Sequence, residues 1–254
     1  MNTRQTKILD IMSNKKRVTV TELAEALGVS EVTTRKDLSQ LEAKGLLKRE
    51  HGYASLMGSD DVGNRLSINY DIKRRIAQKA MESVSDGETV MIESGSCCAL
   101  LAEALLTHRR DITIVTNSVF IASYVRQQPN ARIILLGGEM QNEAQVMVGP
   151  LVRKCVASFY VNKLFVGTDG FNEFGSMSRD LMRAEAVRDM AVNAKQAIIL
   201  TESAKFYQTG VVPLFPYHDI DAIYTDNSVT DDIVANIRQH GIKIYTLSAE
   251  TTAK

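Results

Sequence analysis

Cysteine is scarce: three in 254 residues, two adjacent (Cys97, Cys98) and one alone (Cys155). That excludes a disulfide framework and offers no zinc-ligand spacing, so no metal is expected and a reducing cytoplasm fits. Long apolar runs are missing as well. Those present, such as 133 to 136 and 197 to 200, are strand-sized and far below the roughly 18 residues of a membrane helix. The first residues lead into an amphipathic pattern without an apolar signal core, so neither export nor a membrane partner is expected. Neither Gly-x-Gly-x-x-Gly nor Gly-x-x-x-x-Gly-Lys-Ser/Thr occurs, and no cofactor is implied. Net charge is absent too, with 30 Lys and Arg against 30 Asp and Glu.

What is present is an ordinary folding composition, 44% hydrophobic and 24% charged, at a length that suggests two domains at about 150 residues each. The neutral total hides an asymmetry. Residues 1 to 56 hold ten basic residues (Arg4, Lys7, Lys15, Lys16, Arg17, Arg35, Lys36, Lys44, Lys48, Arg49) against seven acidic ones. The order of elements gives that excess its meaning. Ile8, Leu9, Ile11 and Met12 recur at helical spacing up to the polar run at 13 to 17, which reads as a first helix. Thr19 with Glu22 makes a capping box that opens a second helix, and Gly28 supplies a left-handed stop. Ser30 caps a third helix from Glu31 to about Lys44 with a buried stripe of Thr34, Leu38 and Leu41. Positions 46 to 50 and 53 to 56, joined by His51 and Gly52, read as a hairpin.

Three short helices and a hairpin, with a tight glycine turn between the second and third helices, form a winged helix-turn-helix. The stripe turns Thr33, Arg35, Lys36 and Gln40 toward solvent near the helix start. There Arg pairs with guanine edges and Thr or Gln with other edges or phosphates. Lys48, Arg49 and His51 on the hairpin would reach adjacent phosphates. With Ser30 and Thr34 of the same turn, these nine are the candidate DNA contacts. The alternative is a three-helix packing module whose basic residues are merely solvated.

The expected organisation is a DNA-binding domain at 1–57, a connection at 58–68 that is small, polar and aperiodic, and an α/β domain at 69–254. Residues 69 to 84 show a helical pattern with Ile72, Ile76, Ala80 and Val84 on one face; Lys73, Arg74, Arg75 and Lys79 read as a solvated face. Strands are expected near 89–92, 112–115, 132–136, 163–167, 197–201, 221–225 and 242–246, with helices between most of them. This is the pattern of a mostly parallel sheet covered on both faces, in an order that the pattern does not give. The segments that follow the strands then share one edge. They contain Glu93, Ser94, Gly95 and Ser96; Thr116, Asn117 and Ser118; Gly137, Gly138 and Glu139; Thr168, Asp169 and Gly170; Ser203, Ala204 and Lys205; and Asp226, Asn227 and Ser228. The opposite turns, such as Gln128-Pro129-Asn130, read as plain connections. Small hydroxyl and glycine residues before a helix can present backbone donors to an anion, and Lys205 adds a cation, which suggests a phosphorylated small molecule. Taken singly, the same segments are the caps and turns that any α/β domain needs.

The stretch from Val18 to Glu42, followed by Leu47-Lys-Arg-Glu-His-Gly52, resembles the DNA-binding domain of DeoR-type bacterial regulators. Thr34 stands where that family usually has Ile or Val, and Tyr53 where it has a second glycine. Lys73-Arg-Arg-Ile-Ala77, Gly95-Ser96, Val115-Thr-Asn-Ser118, Leu136-Gly-Gly138, Gly167-Thr-Asp-Gly170, Glu185 and Ser203-Ala-Lys-Phe206 look like its sensor domain. The resemblance implies a sensor fold similar to ribose-5-phosphate isomerase and a phosphorylated-sugar effector. Glu93 to Cys97 stand where the family usually has Asp-x-Gly-Thr-Thr. It adds Glu93, Cys97 and Glu185 to the effector candidates Gly95, Ser96, Thr116, Asn117, Ser118, Gly137, Gly138, Thr168, Asp169, Gly170 and Lys205.

The expected function is a repressor of carbohydrate genes that binds an operator in double-stranded DNA as a dimer or tetramer and responds to a sugar phosphate. No residue is assigned to catalysis. The rival reading is a sugar-phosphate isomerase-like enzyme with Asp169 or Glu185 as base and Lys205 as stabiliser. A third, a redox sensor, would use Cys97 and Cys98, although adjacent cysteines rarely close a comfortable disulfide.

Overall fold

The computed structural model describes residues 1–247 apart from 16, 57, 59 and 130, and of Asn14 only the backbone. Lys16 of the basic tally, Met57 at the end of the expected first domain and Asn130 of the Gln128-Pro129-Asn130 turn lie outside the described residues. Helix α1 (Thr3–Lys15) leads into a short strand, β1 (Arg17–Thr19). The capping box then opens α2 (Val20–Leu27): Thr19 Oγ1 accepts from the Glu22 amide, and the Glu22 carboxylate accepts from the Thr19 amide at 2.9 Å. Those bonds hold the Glu22 carboxyl below its usual value, the Thr19 backbone donor contributing most. Gly28, at φ +65°, ends the helix. Ser30 accepts from the Thr33 amide to start α3 (Glu31–Ala43). Strands β2 (Lys48–Glu50) and β3 (Tyr53–Ser55) turn through His51 and Gly52, where Gly52 has φ +82°. Strand β3 also pairs with β1, in the polar run that reads as a helix end. Three residues that alternate exposed, buried, exposed carry too little pattern to signal a strand. Ile8, Leu9, Met12, Leu23, Leu38, Leu41 and Leu46 are fully buried beneath these elements, each contributing roughly 1.5–3 kcal/mol.

The segment expected as an aperiodic connection contains a helix, α4 (Val62–Ser67). Asp61 caps it through the Asn64 amide at 2.9 Å, and Val62 and Leu66 are fully buried. A Cβ on Gly63 would lie 2.0 Å from the Gly45 carbonyl oxygen, so only glycine permits that approach. Helix α5 (Tyr70–Met81) follows. Its buried face is rotated from the expected one. Ile76 and Ala80 are inside, but Ile72 is 36% exposed and Lys73 only 4%. Internal contacts divide the described residues into two units, Met1–Asp71 with Glu143–Gln145, and the remainder.

In the second unit the chain runs through β4 (Thr89–Ile92), α6 (Ser96–His108), β5 (Thr113–Thr116), α7 (Val119–Val125), β6 (Arg132–Leu135), β7 (Glu139–Gln141), β8 (Val146–Val148) and α8 (Pro150–Val156). It continues through β9 (Val161–Val166), β10 (Gly170–Asn172), β11 (Gly175–Ser178), α9 (Leu181–Val192), β12 (Ala194–Leu200), β13 (Val212–Pro216), β14 (Ala222–Thr225), α10 (Asp231–Gln239) and β15 (Lys243–Thr246). All seven expected strands join one sheet in the order β15-β14-β12-β9-β4-β5-β6, every pairing parallel. The order reverses direction between β4 and β9. In open α/β sheets, ligands bind at such a switch point. Two antiparallel pieces have no counterpart in the sequence reading: the β7–β8 hairpin and the sheet β10-β11-β13. Strand β7 is largely exposed and β10 and β11 are rich in Gly and Ser, β8 is only three residues long, and β13 is interrupted by two prolines, so they lack the apolar runs that mark the main sheet.

Candidate functional site

The third helix and the wing present the candidate DNA contacts at the surface of the first unit. Arg35, Lys36 and Gln40 are exposed on α3, as are Ser30 at its cap and Lys48 and His51 on the wing; Thr33 and Arg49 are half-buried. Several are loosely held by neighbours. The Arg35 guanidinium pairs with Glu31 at 2.6 Å, Glu31 also accepts from Thr21 Oγ1 at 2.8 Å, and Lys48 lies 3.8 Å from Glu50. Exposed pairs of this kind are worth little, so DNA can take the cations over at small cost. Arg49 donates to Ser39 Oγ from its guanidinium and to the Glu42 carboxylate from its amide. Gln40 accepts from the Gln5 side chain. Thr34 stands apart: it is fully buried and its hydroxyl donates to the Ser30 carbonyl at 3.2 Å. It faces the core, as its place in the buried stripe requires. One residue that the pattern missed is Val32, 74% exposed in the first turn of α3. An apolar side chain there can meet a thymine methyl group. Behind the wing, the Arg17 guanidinium lies 3.3 Å from the centre of the Tyr53 ring, and the Gly52 carbonyl accepts from the Val20 amide at 3.0 Å. These contacts tie the wing to the start of α2.

At the carboxyl ends of the parallel strands, the candidates separate into groups already committed to their own loops and groups left open. Thr116, Asn117 and Ser118 are buried. Thr116 Oγ1 accepts from the Ser118 amide at 3.0 Å, Ser118 Oγ caps α7 through the Ile121 amide, and Asn117 donates to the Met147 carbonyl at 3.1 Å. The Asn117 Oδ1 is buried without a hydrogen-bond partner. Thr168 Oγ1 donates toward the Gly170 carbonyl of its own turn and the Met177 carbonyl of β11, and the Asp169 carboxylate accepts from the Arg179 amide at 2.9 Å. Gly170 packs against the backbone of Gln208, where a Cβ would lie 2.2 Å from an oxygen. Gly138 is close to the Val148 carbonyl, whereas Gly137 is exposed. Glu185 is exposed on α9, with no hydrogen bond to the other candidates among the described residues. Glu93 stitches the switch point together: one carboxylate oxygen accepts from the Gly95 amide at 2.8 Å and the Gly167 amide at 3.1 Å, while Ser94 Oγ donates to the other.

The open groups lie around the start of α6. Its cap, Gly95, has no side chain to satisfy the first-turn amides, so the helix presents donors and the positive end of its dipole. Ser96 is half-buried at its first position. Cys97 is buried there, and burial pushes its thiol up to about 12; Glu202 and Asp226 add to the rise while Lys73 and Lys205 oppose it. The side chain therefore stays a neutral thiol, and Cys98 likewise is buried, its Sγ 3.6 Å from the Phe165 carbonyl oxygen. Cys97 therefore lacks the thiolate chemistry that a redox sensor needs. Lys205 sits on a short 3₁₀ turn, Ser203–Tyr207, with its ammonium 3.0 Å from Gln208 Oε1. Burial pulls it below the ordinary lysine value; Arg179 and Lys73 push the same way, and Asp169 and Glu202 pull back. The buried Lys73, taken from sequence as a surface charge, pairs with Glu202 at 3.3 Å. A strand-end signal did not reveal it because it lies on a helix whose spacing fits two faces equally well. Among the described residues, no group of His, Cys, Asp and Glu could hold a metal ion, and no helix is long and apolar enough to cross a membrane.

Comparison with known proteins matches both units to described families. Residues 4–59 match the DeoR-like helix-turn-helix domain, and residues 68–227 the DeoR C terminal sensor domain. The chain is 27% identical over 245 residues to the glycerol-3-phosphate regulon repressor of Escherichia coli strain K12, covering 95% of this chain and 97% of the relative. It is 29% identical to the L-fucose operon activator of Haemophilus influenzae, covering 95% and 98%. Among solved structures it is similar to ribose 5-phosphate isomerase A from Methanocaldococcus jannaschii, with 18% identity, 54% of each chain covered and a TM-score of 0.40. With matched residues running through most of both units, the chain belongs to the DeoR family of DNA-binding transcriptional regulators.

Proposed function

We propose that the protein represses a carbohydrate operon, that it grips the operator as a homo-oligomer through α3 and the wing, and that a phosphorylated sugar at the strand ends releases it. The observation that carries the DNA half is the row of exposed Ser30, Arg35, Lys36 and Gln40 with half-buried Thr33, beside Lys48, Arg49 and His51, on a helix whose opposite face is buried. Thr34 is left out of that row. Single helix-turn-helix modules read one half-site, so two or more copies are needed for an operator. The effector half rests on the uncapped start of α6 beside Ser96 and Lys205, at the switch point of the sheet. The relatives support a carbohydrate-related effector: one is named for glycerol 3-phosphate, a phosphorylated polyol, and another for fucose, a sugar. They are named a repressor and an activator, so the sign of regulation is part of the proposal.

The isomerase reading finds no support in these relatives, which are named as regulators. Its two candidate bases are also poorly placed, Asp169 being bonded to the Arg179 amide and Glu185 exposed to solvent. The test is a mobility-shift titration of the full chain on its own upstream DNA against random DNA, with and without a panel of sugar phosphates. The expected result is selective binding that one sugar phosphate weakens. Equal affinity for both DNAs would reject the regulatory reading, and turnover of a sugar phosphate would restore the isomerase one.

A further inference from the structure

We propose that Val32 is a specificity-determining residue of the DNA-reading surface, and that it recognises the 5-methyl group of a thymine in each operator half-site. This rests on α3 as the DNA-contacting helix and deepens that reading, by adding an apolar contact to a surface otherwise made of polar and charged side chains.

Val32 is an exception within its own unit. Among the described residues 1–56, the large apolar side chains are buried or half-buried apart from two, Met1 at the start of the chain and Val32, which is 74% exposed. Single exposed apolar residues are common on protein surfaces, so position decides what this one does. Val32 is the second residue of α3, in the N-terminal turn that a recognition helix presents to base edges. On folding grounds valine is a poor choice there. Its branched side chain loses freedom in a helix, and at this exposure it gains little burial in return.

The neighbours place it on the outward face. One turn beyond Val32 come Arg35 and Lys36, and Ser39 follows a turn later, all three exposed; Thr34, Asp37, Leu38 and Leu41 of the same helix are buried. Positions i, i+3, i+4 and i+7 share one side of a helix, so Val32 lies beside the two cations. Ser39 accepts a hydrogen bond from Arg49 of β2, which ties the wing to the far end of that side and leaves Val32 at the near end. Glu31, just before it, is already engaged: its carboxylate accepts from the Arg35 guanidinium at 2.6 Å and from Thr21 Oγ1 at 2.8 Å.

The chemistry of the major groove then selects the partner. Its base edges present donors and acceptors, and thymine adds an apolar group, the methyl on C5. Valine has no hydrogen bond to offer, and a polar edge set against it would lose its water without compensation. The methyl group gains from the same contact. Arg35 and Lys36 thus supply hydrogen bonds and charge, while Val32 fixes the identity of one base beside them.

The experiment uses the full-length chain to select duplexes from a random-sequence pool. A selected site is resynthesised with uracil in place of each thymine in turn, and binding is measured by mobility shift at one salt concentration. Uracil keeps the pairing and hydrogen-bonding edges of thymine and lacks only the methyl group. One uracil position per half-site is expected to weaken binding by the wild type about fourfold, the loss of one buried methyl contact. Val32→Ala is expected to bind the thymine duplex at least fourfold more weakly than the wild type does, and to bind the thymine and uracil duplexes equally. Its unfolding free energy should not fall, because alanine is the better helix former, so the weaker binding is not a folding defect. A selected site without thymine, a wild type indifferent to uracil at every position, or uracil sensitivity that persists unchanged in Val32→Ala would overturn the proposal and leave α3 as the reading helix. Failure to select any sequence over random DNA would remove the base-reading role of α3, and the proposal with it.

Discussion

The polar side chains of the two units are used in opposite ways. On α3 and the wing they project from a buried scaffold and are held, where they are held at all, by exposed partners such as Glu31 for Arg35 and Glu50 for Lys48. At the strand ends of the second unit most of them are spent on the backbone of their own loops, as in Thr116, Ser118, Thr168 and Glu93. A DNA-reading surface must meet a partner as large as itself, and it stays open for that purpose. A small-molecule site must first build rigid walls, and under the proposed function only a few groups, Ser96, Lys205 and the start of α6, are left to face an effector. Polar residues at a strand end are thus weaker evidence for binding than polar residues on the outer face of a recognition helix.

The largest effect that tests this comparison is expected at Asp226. It is 4% exposed, and its carboxylate accepts from Ser203 Oγ at 2.8 Å and from the amides of Ser203 and Ser228 at 2.7 and 2.9 Å. Burial raises its pKa, but the backbone and hydroxyl donors outweigh that, and the net shift is downward from 3.8. Its folded pKa lies below its unfolded one, so its stabilisation is fully present above about pH 4 and lost as the pH falls through the folded value. Asp226→Asn is expected to cost about 2–4 kcal/mol in urea unfolding at neutral pH and to flatten the acid side of the stability profile. A stable variant with lost effector response would instead make Asp226 one of the open groups.

The next effects are functional. Lys205→Ala is expected to leave operator affinity and unfolding free energy near wild type while removing the effector response in a mobility-shift assay. Effector affinity in the wild type should also depend on pH in a defined direction. An anion favours the protonated lysine, so affinity is full at pH values below the Lys205 pKa and declines as the pH rises through it. Because burial lowers that pKa from 10.5, the decline begins earlier than for a solvated lysine, in a range where a phosphate ester is already dianionic, its second pKa being about 6. Unchanged induction in Lys205→Ala would return Lys205 to the committed class. On the other unit, Arg35→Ala is expected to weaken operator binding about 10- to 100-fold and random-DNA binding far less. Lys48→Ala should weaken both together and lower the salt slope by about 0.9. Equal losses on both DNAs for Arg35→Ala would assign it to phosphates.

The same contrast explains what could be read in advance. Caps and stops act over three or four residues, so Thr19 with Glu22, Gly28, and Ser30 ahead of α3 mark their helices without knowledge of the fold. The seven parallel strands announce themselves as apolar runs. Their order does not, because pairing β4 with β9 depends on contacts far apart in the chain. Lys73 fails for a related reason. Residues 72, 76 and 80 and residues 73, 76, 77 and 80 both make a helical stripe, and contacts distant in sequence, such as that of Lys73 with Glu202, accompany the one that is buried. Helix α4 was hidden by Gly63 and Ser67, small residues that suit a connection as well as a close approach to Gly45.

The smallest expected effect is at Thr34, and it sharpens the comparison because this residue breaks the rule of its own unit. It sits among the outward-facing contacts in sequence, yet its side chain is fully buried and its hydroxyl is bonded back to the Ser30 carbonyl. That carbonyl also accepts from the Thr34 amide at 3.0 Å, so removing the hydroxyl leaves no helix acceptor empty. A valine keeps the branched shape and fills the same space. Thr34→Val is therefore expected to change unfolding free energy by less than about 1 kcal/mol, in the stabilising direction, because back-bonded hydroxyls slightly disfavour a helix. Operator affinity, measured by mobility shift, should not move. A specific loss of operator binding would mean that Thr34 turns outward on DNA, and the recognition surface would then extend into what is here the core of α3.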